Sequence, residues 1–259
     1  MTQQTRVDTT IGGSSNVAEV ATISQKSWRV VEVDKDGAVT FETQWDKIDM
    51  RQKMSGREEV RYNSETDKDP PAGYETTAAS IGVPLSHLTI SSNGKLLNRE
   101  IKSDKAKPFM DGKATYQATQ QLLVPLPNEP VFIGQPWSIP VDLTVKLESG
   151  PRAIQARHRY KIDKVESGVA TISCETILPP LNDPELRSQL IQQMGTTKIE
   201  FDIAKGKVLS QVTDVDERVI GFKGNESSIH FLSRFTETLL TGDAKKTVAV
   251  QKTTQAAKK

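Results

Sequence analysis

The stretch 126–137, L-P-N-E-P-V-F-I-G-Q-P-W, constrains this chain more than any other. Three prolines and a glycine restrict its backbone, and proline is excluded from helix interiors and central strands. Val131, Ile133 and Trp137 supply apolar anchors. The stretch therefore reads as a rigid, extended segment docked on a core, with no catalytic group in it. It lies near the midpoint of 259 residues, and the half of the chain before it resembles the half after it.

Around it, short alternating runs are separated by Gly- and Ser-bearing turns, the pattern of antiparallel strands. Residues 6–11 and 17–23 flank Gly12-Gly13-Ser14-Ser15 and predict a hairpin. Residues 28–34 pass through Lys35-Asp36-Gly37 into a long return strand with Val39, Phe41 and Trp45 on one face. Its phase slips near Ile48 and Met50, which predicts a bulge or the end of the strand. A short strand at Val60 and Tyr62 precedes an exposed loop over 63–73 and a helical turn within 74–85. Residues 87–91 and 95–101 pair across Ser92-Asn93-Gly94.

Beyond the proline-rich centre, 139–147 alternates without a fault. Residues 157–165 and 169–177 pair across Glu166-Ser167-Gly168, and 198–203 and 207–215 across Ala204-Lys205-Gly206. A long last strand covers 228–240. The best-marked helix is 182–195, with Asn182 or Asp183 as N-cap, Pro184 in the first turn and Gly195 as terminator. Leu186, Leu190, Ile191 and Met194 form its apolar stripe. Residues 114–124 fit a helix or a strand.

Two pairs of hairpins match across the centre. V-E-V-D-K-D-G-A-V-T-F-E-T, from Val31, parallels K-I-D-K-V-E-S-G-V-A-T-I-S-C-E-T, from Lys161; H-L-T-I-S-S-N-G-K-L-L-N-R-E-I parallels K-I-E-F-D-I-A-K-G-K-V-L-S-Q-V. The expected fold is mainly β (α+β): antiparallel, curved or half-barrel-like sheets from two similar halves, each crossed by a short helix. The expected division is 1–107 (first half), 108–140 (connector), 141–241 (second half) and 242–259, a disordered basic tail.

These residues carry a resemblance. The 126–137 stretch resembles the L-P-x-x-P-V-x-x-G-x-x-W element of an uncharacterised bacterial family, a domain of unknown function. Gly168-Val169-Ala170-Thr171-Ile172 and Lys205-Gly206-Lys207-Val208 match the hairpins that come after that element in the family. The resemblance covers 126–240, with an echo in the first half. It implies a β-rich and mostly exported or lipid-anchored protein, and it brings no catalytic residues. Gln135 stands where the family commonly has an acid. A looser similarity is to the curved half-barrels of lipoprotein carriers.

The net charge of +1, with both signs interspersed, argues against nucleic acid as a partner. No apolar run approaches the roughly 20 residues of a transmembrane helix. The first ten residues lack a signal peptide's basic and apolar regions, so the chain as written reads as cytoplasmic. Alternation that begins almost at Met1 leaves room for an upstream export signal.

The single cysteine, Cys174, reads as a small buried core residue. His87, His158 and His230 are scattered and lack metal-ligand spacing. Asp214 and Asp216 share a strand face and read as a solvated face next to Arg218, with a calcium site the lesser alternative. Nucleophile-elbow, phosphate-loop and zinc motifs are absent. Trp28, Phe41, Trp45, Trp137 and Tyr160 fit core packing better than a groove.

No catalytic, cofactor or metal residue is therefore predicted. The expected function is non-catalytic binding of a lipid, another apolar ligand or a partner in a concave β-sheet. The alternatives are a structural cell-envelope component, or an enzyme whose site assembles from the scattered His and Asp residues.

Overall fold

The computed structural model describes residues 1–104, 123–147 and 150–240. Alternation dominates what they form. β1 (Thr2–Ile11), β2 (Ser14–Val33), β3 (Val39–Met54), β4 (Val60–Asn63), helix α1 (Glu75–Ser80), β5 (Pro84–Ile90) and β6 (Leu96–Ile101) precede the proline-rich segment. β7 (Pro136–Leu147), β8 (Gly150–Glu166), β9 (Val169–Ile177), helix α2 (Pro184–Leu190), a 3₁₀ turn (Ile191–Gln193), β10 (Thr196–Asp202), β11 (Lys207–Ile220) and β12 (Ser228–Thr238) come after it.

The strands make one antiparallel sheet in the order β6-β5-β3-β2-β1-β12-β11-β10-β9-β8-β7, with β4 added on β3. The mainly β, antiparallel expectation holds, and the sheet is continuous because β1 pairs with β12, Thr2 opposite Thr236.

Directly paired residues share a face. Trp137, Tyr160, Cys174, Thr197, Thr213, Phe235, Gln3, Thr22 and Met50 are successive partners from β7 to β3 and define the inner face. The opposite face is charged. Arg6 reaches Asp8 and Glu19, both at 2.9 Å, and Arg234 reaches Asp214 at 2.7 Å. Such exposed pairs keep the face wet and add little stability.

Both helices lie on the inner face. Leu186 and Leu190 of α2 pack on Val145 and Ile154, and Ile191 packs with Val215, Val219 and Phe231. Asp183 caps α2, its carboxylate accepting from the backbone N–H of Glu185 at 2.9 Å. Beside α1, Tyr74 and Ala78 pack against Ile48, Tyr62 and Trp45.

Residues 123–137 form a strap across the two sheet edges. Trp137 Nε1, from β7, donates to Pro125 O at 2.9 Å. Leu126 N donates to Asn93 O, in the β5–β6 turn, at 2.7 Å. In a flat sheet these edges would stand roughly 45–50 Å apart at the usual strand spacing. The sheet is therefore curled, and the strap lies on its inner side, where Val124, Leu126 and Val131 pack with Trp137, Tyr160 and Ile172.

The strands expected at 17–23 and 28–34 are one strand, β2, because backbone pairing with β3 runs through the polar residues between them. The phase slip in β3 is a bulge at Asp46, which lets Trp45 and Ile48 face inward although three residues apart. Gly195 is needed for space: an added Cβ would lie 2.6 Å from Val215 Cγ2 and 2.7 Å from Asp214 O. β7 begins at Pro136, inside the expected 108–140 connector. The tail at 242–259, and all of 114–124 but its last two residues, lie outside the described residues.

Trp137→Ala removes a buried indole stacked on Tyr160, their centroids 5.4 Å apart. It should lower unfolding free energy by about 3–5 kcal/mol in urea titration, and a loss under about 1 kcal/mol would refute the anchor role. Gly94→Ala places a Cβ 2.4 Å from Val124 O at a φ of +83°. Backbone conformation alone should cost about 1–2 kcal/mol there, read in the same titration.

Candidate functional site

The polar groups that stand out lie on the inner face, where alternation otherwise supplies mostly apolar residues and hydroxyl side chains. Gln211 of β11 is 1% exposed and faces its pairing partner Glu237 of β12. Gln211 Nε2 donates to Glu237 Oε2 at 2.9 Å. A carboxylate only accepts, so the amide nitrogen turns toward it and the amide oxygen turns away. That oxygen, Gln211 Oε1, is buried without a hydrogen-bond partner.

Two cations share this face. Lys26 lies between Ser24 and Trp28 on the inward phase of β2, and Arg99 of β6 is paired with the core residue Leu88. Burial holds the Lys26 ammonium below its ordinary range; Glu237 opposes that shift and Arg99 reinforces it. Burial also raises the Glu237 carboxyl above its ordinary range, against the pull of Lys26 and Gln211. Burial lowers the Arg99 guanidinium, whose Nε and Nη2 are buried without partners.

Beside Gln211 lies a cavity of about 90 Å³. Tyr160, Cys174, Thr197 and Thr213, four successive partners on β8 to β11, form its floor. Gln192, Gln193 and Gly195 cover it from the 3₁₀ turn, while Leu123 of the strap and Leu143 supply apolar wall. By the usual measure of one water per probe sphere, such a space admits several waters or a small organic group. His158 also lines it, and burial lowers its imidazole pKa, favouring the neutral ring.

The histidines and aspartates considered for an assembled catalytic site do not converge in one place; His230 and Asp216 are the one pair of them in contact among the described residues. His87 lies near Glu42 at 3.5 Å on the charged face between β3 and β5. His230 contacts Asp216 at 2.8 Å on the charged face of β12 and β11, where Asp214 is taken by Arg234. His158 is on the inner face. Among the described residues, no three His, Cys, Asp or Glu gather as a metal ion would require. The aromatics also divide: Trp137 stacks on Tyr160, Trp28 meets Phe41 edge-on at 5.6 Å, and Trp45 packs near Tyr62 and Tyr74.

Gln211, Glu237, Lys26 and Arg99 were not among the candidates read from the sequence. Their signal is phase: Glu237 continues Phe231 and Phe235 at two-residue steps, and Lys26 precedes Trp28 by two. A charge on the apolar phase of a strand is the mark to seek.

No protein-family profile matches the chain, and no curated protein does. Among solved structures it is similar to a β-barrel-like protein of a domain of unknown function, DUF1849, from Brucella abortus. That similarity is 11% identity over 93% of this chain and 98% of that one, with a TM-score of 0.15. It bears on neither the 126–137 motif nor export.

Cys174 is an inert thiol in this setting. Burial pushes it up to about 12, with a Tyr160 hydrogen bond acting in the opposite direction. At pH 8 roughly one molecule in ten thousand would carry the thiolate, against about one in four for a free cysteine. Iodoacetamide labelling of the folded chain at pH 8 should be slower than that of the urea-unfolded chain by at least a hundredfold. Equal rates would show the thiol to be open.

Proposed function

We propose that the chain is a non-catalytic binding protein that holds a small, largely apolar molecule against the inner face of its curled sheet. The observation that carries this reading is Gln211 Oε1, a buried acceptor without a donor, on a residue that lines a mixed, mainly apolar cavity. Leaving such an atom unmatched costs about 1–3 kcal/mol, and a ligand hydroxyl or amine would remove that cost on binding. Pockets of this make-up, mostly apolar with a few placed polar groups, are the usual form of small-molecule sites.

The same reading treats the two halves as copies of one module. The matched hairpins support it. So does the placement of a helix after the third long strand in each half, α1 after β3 and α2 after β9. In this view the strap of 123–137 begins the second copy and covers one side of the shared hollow.

Native mass spectrometry of the chain purified from its own host should show a retained small molecule that is released on denaturation. Addition of the neutral apolar dye Nile red to stripped protein should give saturable fluorescence. A clean mass of the chain alone, together with no saturable dye signal, would sink the proposal.

A further inference from the structure

The inner face carries more positive than negative charge at the place where its polar groups gather. Glu237, which already accepts from Gln211, attracts Lys26, while Arg99, in electrostatic range of Lys26, has no carboxylate among the described residues acting on it. Arg99 has two buried nitrogens with no acceptor. It sits in an apolar row, opposite Leu88, which is itself opposite Phe41, and Phe41 meets Trp28. A guanidinium with two buried N–H-bearing nitrogens that lack an acceptor is disfavoured unless an anion comes to it. Arginine also presents a planar fork of donors suited to carboxylate or phosphate oxygens.

We infer that the molecule bound on the inner face is an anionic amphiphile. Its carboxylate or phosphate group is taken by Arg99 and Lys26, and its apolar body runs along the face past Glu237 toward the Gln211 cavity. This rests on the binding reading above and adds the ligand's chemical class. The acid completes the donor set of Arg99 and offsets the unmatched cation, and the chain's own Glu237 stays with Gln211. Trp28 and Phe41, both only partly buried, give the apolar body a surface beside the charged end.

The test is isothermal titration of the full chain, stripped of bound small molecules, with decanoate, decyl phosphate and decanol at pH 7.5. At least one of the two anions should bind tenfold or more tightly than the alcohol, and the tighter one identifies which acid is native. Arg99→Gln should reduce that preference about tenfold while leaving decanol affinity within twofold, and Arg99→Lys should retain part of it. Wild-type preference should also shrink as salt is raised.

Equal affinity of wild type for the anions and the alcohol would overturn the inference while leaving the binding proposal standing. A preference that Arg99→Gln leaves intact in a folded variant would overturn it as well. Binding of none of the three probes would remove the binding proposal and the inference with it.

Discussion

The strap between the sheet edges is the contact on which the rest of the structure depends. Its two attachments, Pro125 to the indole of Trp137 and Leu126 to the turn at Asn93, hold together strands that lie at opposite ends of the sheet order. With the edges drawn together, one face turns inward and needs apolar residues, while the other remains in water and carries ion pairs. An apolar content of 36% is enough for such a fold, because only alternate residues of each strand are called on to be buried. The two short helices then fill part of the hollow that the curl creates, α2 over β7 and β8, and α1 over β3.

Within that hollow the Gln211–Glu237–Lys26–Arg99 group brings charge to a face that otherwise carries mostly apolar and hydroxyl side chains. Desolvation acts on each ionisable member in the direction that disfavours its charge, lowering Lys26 and Arg99 and raising Glu237. The attraction between Lys26 and Glu237 relieves some of this, and Arg99 is left with two buried nitrogens that lack an acceptor. A sheet built only for stability would carry apolar residues at these positions, which commonly gives equal or greater stability than a buried ion pair. The departure from that simpler solution is what separates this region from the Trp137–Tyr160 core a few strands away.

Much of the architecture was legible because strand alternation and turn chemistry are local. The hairpins at Gly12-Gly13, Gly94, Gly168 and Gly206 formed where glycine at positive φ allows the chain to reverse. Asp183 and Pro184 marked the start of α2 through the orphan N–H groups of its first turn. The neighbours of each hairpin were not legible. That β1 lies beside β12, or that Asn93 meets Leu126, depends on curl and on contacts distant in sequence. The site was missed for a related reason. Lys26 and Glu237 each look like ordinary surface residues until pairing shows which face of the sheet they occupy, whereas the histidines drew attention by type and proved to be dispersed.

The pairing of β1 with β12 also imposes an order on how the molecule can be completed. The first strand of the described chain sits in the middle of the finished sheet, and its second neighbour is the last. At ordinary rates of synthesis, roughly ten seconds or more separate the two. During that interval the edge of β1 that will receive β12 is an open row of backbone donors and acceptors, available to any other extended segment. The polar sequence of β1, T-Q-Q-T-R-V-D-T-T-I, with Arg6 and Asp8 on its outward phase, makes it a poor template for a stray partner. A strand that must wait is thereby kept soluble, and the sheet closes from its centre only once β12 has been made.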